Sequence, residues 1–179
     1  MLNTVTYGDA PGPPLLIAHG LFGSARNWGV LAKRLSEARR VIVVDMRNHG
    51  FSGWAATHSY QDMAADLAAV LDAPADVLGH SMGGKAAMVL ALQAPDKVRK
   101  LIVADIAPVT YRHTQMGPIA AMRRVDLTSV TTRAEAKAQL GDLDPGIDDF
   151  LLQSLDLKDK RWRLNLDVLA AEMDKDRKS

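Results

Sequence analysis

Gly79-His80-Ser81-Met82-Gly83-Gly84 decides the fold, because of what flanks it. Ala75-Asp76-Val77-Leu78 precedes it as a short apolar segment, and Lys85 to Leu92 follows with the small-residue pattern of a packed helix. Strand, Gly-x-Ser-x-Gly, helix is the setting of a nucleophile elbow, in which the serine sits on a strained turn. Gly79 and Gly83 fit because side chains there would meet the neighbouring strand or helix. The turn holds the Ser81 hydroxyl out and aims the free N–H groups of a helix N-terminus at the reacting centre. The same letters read Gly-x-x-x-x-Gly-Lys from Gly79 to Lys85, a P-loop-like nucleotide-binding pattern. A P-loop, however, needs Ser or Thr where this chain has Ala86.

Working outward, Leu15-Leu16-Ile17-Ala18, Val41-Ile42-Val43-Val44 and Val98 to Asp105 are apolar runs expected as buried strands, and residues 2–7 alternate like a half-buried one. Ser24 opens a helix expected to reach about Ala38, with Trp28, Leu31 and Leu35 on its inner face. Ser59-Tyr60-Gln61-Asp62 opens another, running to about Leu71. Strands alternating with helices specify a mostly parallel α/β sheet with helices on both faces. From Pro108 onward no apolar strand run is seen. Helices are expected over about 116–125, from a cap at Thr132 with Glu135, over about 146–155, and over about 161–174. The expected division is a core over residues 1–109 and a helical lid over 110–179.

With 179 residues and a net charge of +1, the chain suits a globular protein and offers no basic run for nucleic acid. It has no cysteine, which excludes disulfides, thiolate metal sites and a cysteine nucleophile. No leader-like segment or membrane span is read, so a cytoplasmic protein is expected.

An acyl-transferring serine needs oxyanion donors, a base, and a group that orients the base. Met82 N–H is one donor. The loop His19-Gly20-Leu21-Phe22-Gly23 after the first buried strand supplies the other, best from Leu21 N–H. Asp105 closes the strand after the elbow helix and is the favoured acid; Asp45 ends another strand but sits in a turn-forming Arg47-Asn48-His49-Gly50 setting. For the base, His19 and His49 belong to loops and His80 should point away from the serine; His58 and His113 lie in freer segments, but neither is singled out and the sequence leaves the catalytic histidine unassigned. No histidine pair has metal-ligand spacing, and no metal is expected. Phe22 and His80 beside the nucleophile, with Met116, Met122 and Trp162 in the lid, are candidates for substrate contact. Methionine adapts to varied apolar shapes.

His19 to Ser24 with Asn27-Trp28, Asp45 to Gly50 with Ser52, Tyr60 with Met63-Ala64 and Asp66, Gly79 to Met88, and Val103 with Asp105 and Ala107-Pro108-Val109 follow in order. Together they resemble the small α/β-hydrolase esterases of the YbfF type. The resemblance implies cleavage of carboxylic esters, extending to acyl-CoA thioesters, by Ser-His-Asp chemistry without a cofactor. Within it, Ser81 is the nucleophile, Asp105 the acid, and Leu21 and Met82 N–H form the oxyanion hole. Members of that family continue past the lid with two more strands and place the catalytic histidine after the last. This sequence reaches Ser179 through a charged tail with neither. The alternative expectation is therefore a shortened, catalytically impaired hydrolase that acts as a ligand- or partner-binding module. Its last core strand, Val98–Asp105, would then be an open edge that favours self-association.

Overall fold

The computed structural model describes residues 1–109 and 114–176, with side chains as far as Met173. The chain divides into two compact units, Met1–Val109 and Thr110–Ser179.

In the first unit, five strands form one sheet: β1 (Thr4–Tyr7), β2 (Leu15–Ala18), β3 (Val41–Val44), β4 (Ala75–His80) and β5 (Val98–Ala104). Their order is β1-β3-β2-β4-β5, all parallel except β1, which pairs antiparallel with β3. Successive side chains of a strand point to opposite faces, so the fully buried β2 serves two cores. Leu16 and Ala18 join Met63, Leu67, Ala87 and Leu90 from α2 (Tyr60–Val70) and α3 (Met82–Gln93). Leu15 and Ile17 face Ala25 and Ala32, from a 3-10 turn (Ala25–Trp28) and α1 (Gly29–Leu35). Helices therefore cover both faces of the sheet.

The Leu15–Ala18 and Val41–Val44 strands fall where the apolar runs put them. Ser59 caps α2 by accepting from Asp62 N–H at 3.1 Å. Other expectations are corrected. α1 stops at Leu35 rather than near Ala38, and the opening 3-10 turn shifts the helix face, so Ala32 is buried while Leu31 is 41% exposed. β1 is an edge strand with Thr4, Val5 and Thr6 exposed, not a half-buried alternating one. The Val98–Asp105 run is not a buried strand: Arg99 to Ile102 are exposed, because β5 is the outermost strand of the sheet, the open edge expected of a shortened chain.

The second unit holds α4 (Met116–Arg124), α5 (Arg133–Leu140), α6 (Ile147–Leu152), a two-stranded ribbon of β6 (Leu155–Asp156) and β7 (Arg161–Trp162), and α7 (Leu166–Asp176). α5 starts with the capping box expected from Thr132 and Glu135. The ribbon was not foreseen. It takes Trp162 out of the expected last helix, which begins at Leu166 instead. Two-residue strands carry too little alternation to read, and Lys160 (φ 51°) turns between them.

Candidate active site

β2 leads to β3 on one side and lies beside β4 on the other. The connections after β2 and β4 therefore leave the sheet in opposite directions, and the crevice at their carboxyl ends is where parallel sheets bind ligands. Ser81 stands there alone between β4 and α3. Its φ of 50° and ψ of −117° form a backbone state costing about 1–3 kcal/mol in a non-glycine residue. Neighbours enforce it. Ser81 N–H donates to the Ala104 carbonyl at 2.9 Å, and the Ser81 carbonyl accepts from Gly84 and Lys85 N–H at 2.9 and 3.1 Å. A Cβ on Gly83 would lie 2.6 Å from the His19 carbonyl oxygen, and one on Gly79 would collide with the Gly83 carbonyl, so both glycines permit the close crossing of strand, helix and loop.

One residue between strand and helix leaves no loop of amides to encircle a phosphate, which removes the P-loop reading of Gly79–Lys85. Lys85 instead donates to the Val109 carbonyl at 2.9 Å and lies over the Tyr60 ring.

The loop after β2 closes tightly. Gly23 N–H donates to the Gly20 carbonyl at 3.0 Å, and Phe22 N–H to His49 Nε2 at 3.2 Å, with Phe22 at φ 63°. Leu21 N–H donates to no acceptor among the described residues. Met82 N–H, first in α3, has no intrahelical acceptor by position. A Cβ on Gly20 would lie 3.2 Å from Ser81 Cβ, so this loop runs against Ser81.

Asp105 follows β5, whose Ala104 pairs with His80 of β4, so this carboxylate lies at the end of the strand beside the elbow, the position expected of it. Its φ is 57°, its side chain is 87% exposed, and Oδ2 lies 3.6 Å from His80 Nε2. Asp45 is a structural hub instead: Oδ1 accepts from Ala25 N–H at 2.7 Å, and Oδ2 from Phe51 N–H and Asn3 Nδ2, both at 2.9 Å.

Three histidines are committed elsewhere. His19 bonds through Nδ1 to the Gly20 carbonyl at 2.8 Å and accepts from Met46 N–H through Nε2 at 2.9 Å. His49 bonds through Nδ1 to the Arg47 carbonyl at 2.8 Å and uses Nε2 for Phe22. His58, one of the two remaining candidates for the base, has Nε2 on Met82 Sδ at 3.2 Å and Nδ1 against Asn48 Nδ2 at 3.4 Å, so neither nitrogen is left for the serine. Burial, with repulsion from His58 and His80, pulls His19 down to about 4, and burial, with repulsion from His19, takes His49 to about 3. Burial beside His49 and Arg47 takes His58 to about 3. All three are neutral supports of the loop after β2 and of Met82. His113 lies outside the described residues.

Phe22 is buried and His80 half-buried in the first unit. In the second, Met116 is half-buried while Met122 and Trp162 are buried, with Trp162 Nε1 donating to the Met122 carbonyl at 3.0 Å. Sequence reasoning missed the Trp28–His80 ring contact, with centroids 6.0 Å apart, because nothing local links a helix-face tryptophan to the elbow.

Residues 13–162 match the family model described as the alpha/beta hydrolase fold, and the chain belongs to that family. It is 44% identical to the sn-1-specific diacylglycerol lipase ABHD11 of Mus musculus over 94% of this chain and 60% of that protein. It is 43% identical to Esterase YbfF of Escherichia coli (strain K12) over 87% of this chain and 63% of that one. The solved structure titled "Marine microorganism esterase" superposes with a TM-score of 0.90 at 38% identity, covering 96% of this chain and 71% of the other. The chain thus spans about three-fifths of the length of these curated relatives.

Proposed function

We propose that the chain carries the acyl-transfer centre of a serine ester hydrolase. The observation that carries this reading is Ser81 at φ 50° on a one-residue elbow, with Asp105 at the end of the adjacent strand. Ser81 Oγ attacks the ester carbonyl and gives its proton to a histidine base that Asp105 orients. Leu21 and Met82 N–H stabilise the oxyanion, where one lost donor typically costs 10²–10³-fold in rate. The carbon–oxygen bond to the alcohol breaks, and the base protonates the leaving alkoxide. Water, deprotonated by the same base, then releases the acid from Ser81. His19, His49 and His58 are engaged, so the base is not among them.

The relatives named esterase and diacylglycerol lipase support apolar acyl esters as substrates, and the resemblance extends this to acyl-CoA thioesters. An acyl-binding role for Phe22, Met116, Met122 and Trp162, with residues 110–179 as a lid, belongs to the same proposal. A second reading rests on the engaged histidines: the chain is then an impaired hydrolase that binds ligands without turning them over.

Fluorophosphonate treatment followed by mass spectrometry tests the first reading, with an adduct on Ser81 expected. Label elsewhere, or undiminished label in Ser81→Ala, overturns it. Hydrolysis of p-nitrophenyl esters, beside a chain lengthened to match its relatives, separates the two readings.

A further inference from the structure

The elbow carries a second ionisable side chain that the mechanism above does not use. His80 ends β4, immediately before Ser81, and its ring is held from several sides. Trp28, at the end of the 3-10 turn, meets it edge-on at 61° between planes. The loop after β2 closes over Nδ1: a Cβ on Gly20 would be 2.8 Å from that nitrogen and 3.2 Å from Ser81 Cβ. Nε2 points the other way, to Asp105 Oδ2 at 3.6 Å. His19, on the loop's first residue, is the other titratable group that senses His80.

Asp105 contrasts with this. Its carboxylate is 87% exposed, and His80 is its one ionic partner among the described residues. An exposed, unanchored carboxylate samples several rotamers, yet an acid that orients a base must present one oxygen in one direction. A ring wedged between Gly20 and Trp28 can supply that direction. We propose that His80 is a positioning residue, whose imidazole draws Oδ2 of Asp105 toward Nε2 and leaves Oδ1 for the base. This differs from the substrate contact expected of His80, and it rests on the reading of Asp105 as the acid. It also links the acid to the oxyanion loop, since one ring touches both.

The test uses the whole chain with His80→Leu, which keeps bulk without a polar atom, His80→Gln, which keeps an N–H donor, and Asp105→Asn. Circular dichroism confirms that each is folded. The first readout is the imidazole ¹⁵N chemical shifts of His80 at fixed pH, expected to differ between the parent and Asp105→Asn. The second is the rate of Ser81 phosphonylation. Loss of an oriented, charge-assisted contact predicts about a tenfold slower reaction in His80→Leu, with most of it recovered in His80→Gln. Unchanged ¹⁵N shifts overturn the proposal, because no contact then exists. Equal rates in the Leu and Gln variants overturn it too, because bulk alone then matters. If Asp105→Asn labels at the parental rate, Asp105 is not the acid and the positioning role falls with it. The ¹⁵N shifts then still respond, which marks that failure as one of the functional reading. A parent chain that does not label overturns both.

Discussion

At the scale of single residues, the candidate site rests on buried imidazoles held by hydrogen bonds on both nitrogens. His19 and His49 each accept a backbone N–H through Nε2, so a proton there would set one donor against another. The folded chain keeps these rings and His58 neutral down to about pH 4 or 3, while the unfolded chain protonates them near 6.5. Their folded-state pKa values are depressed, so the unfolded state binds more protons below 6.5. This contribution is therefore complete above pH 6.5 and lost as pH falls toward 4. Each histidine adds up to about 1.4 kcal/mol per pH unit to that loss. Urea midpoints should drop steeply from pH 7 to pH 5, and less steeply in His58→Gln. A midpoint constant over that range would show that these rings are not held neutral. The positions of Ser81, Asp105 and the loop after β2 could be read from sequence because each is tied to the end of a strand. His58 could not: its commitment to Met82 Sδ depends on two segments 24 residues apart meeting.

At the scale of elements, the crossing of β2, β4 and α3 sets the geometry. Gly83→Ala puts a methyl group against the Ala18 and His19 carbonyls, both backbone atoms with little room to yield. Alanine inside a helix gains about 1 kcal/mol over glycine. Overpacking against backbone costs about 1–3 kcal/mol or more, and here it should win, giving a net loss in chemical denaturation and slower labelling of Ser81. Gly53→Ala, where a Cβ meets nothing within 4 Å, should change stability by about 0.5 kcal/mol or less. If both variants behave alike, the crossing is looser than described. Buried parallel strands were legible because both faces demand apolar residues. β5 has the composition of an inner strand, Leu101-Ile102-Val103-Ala104, yet it is outermost in this sheet, the open edge that the shortened-chain expectation gave it. The β6–β7 ribbon, at two residues per strand, gave no period to detect.

At the scale of the molecule, β5 leaves an unpaired edge, with Leu101 38% and Ile102 46% exposed on opposite faces. Open apolar edges pair with other chains unless charge blocks them. Sedimentation of this chain should show concentration-dependent association that weakens in Ile102→Lys; a monomer at all concentrations would count against it. Among the described residues no helix is long and apolar enough to cross a membrane. Asp45 has a wider reach. It ties Asn3, Ala25 and Phe51 to one carboxylate, and Asn3 also donates to Ser52 Oγ and accepts from Asp45 N–H. Asn3 is thus a mooring for the turn that holds His49, and through His49 for Phe22 in the loop after β2. A change at Asn3 is in that sense an edit to the candidate site, though Asn3 lies some 80 positions from Ser81 along the chain.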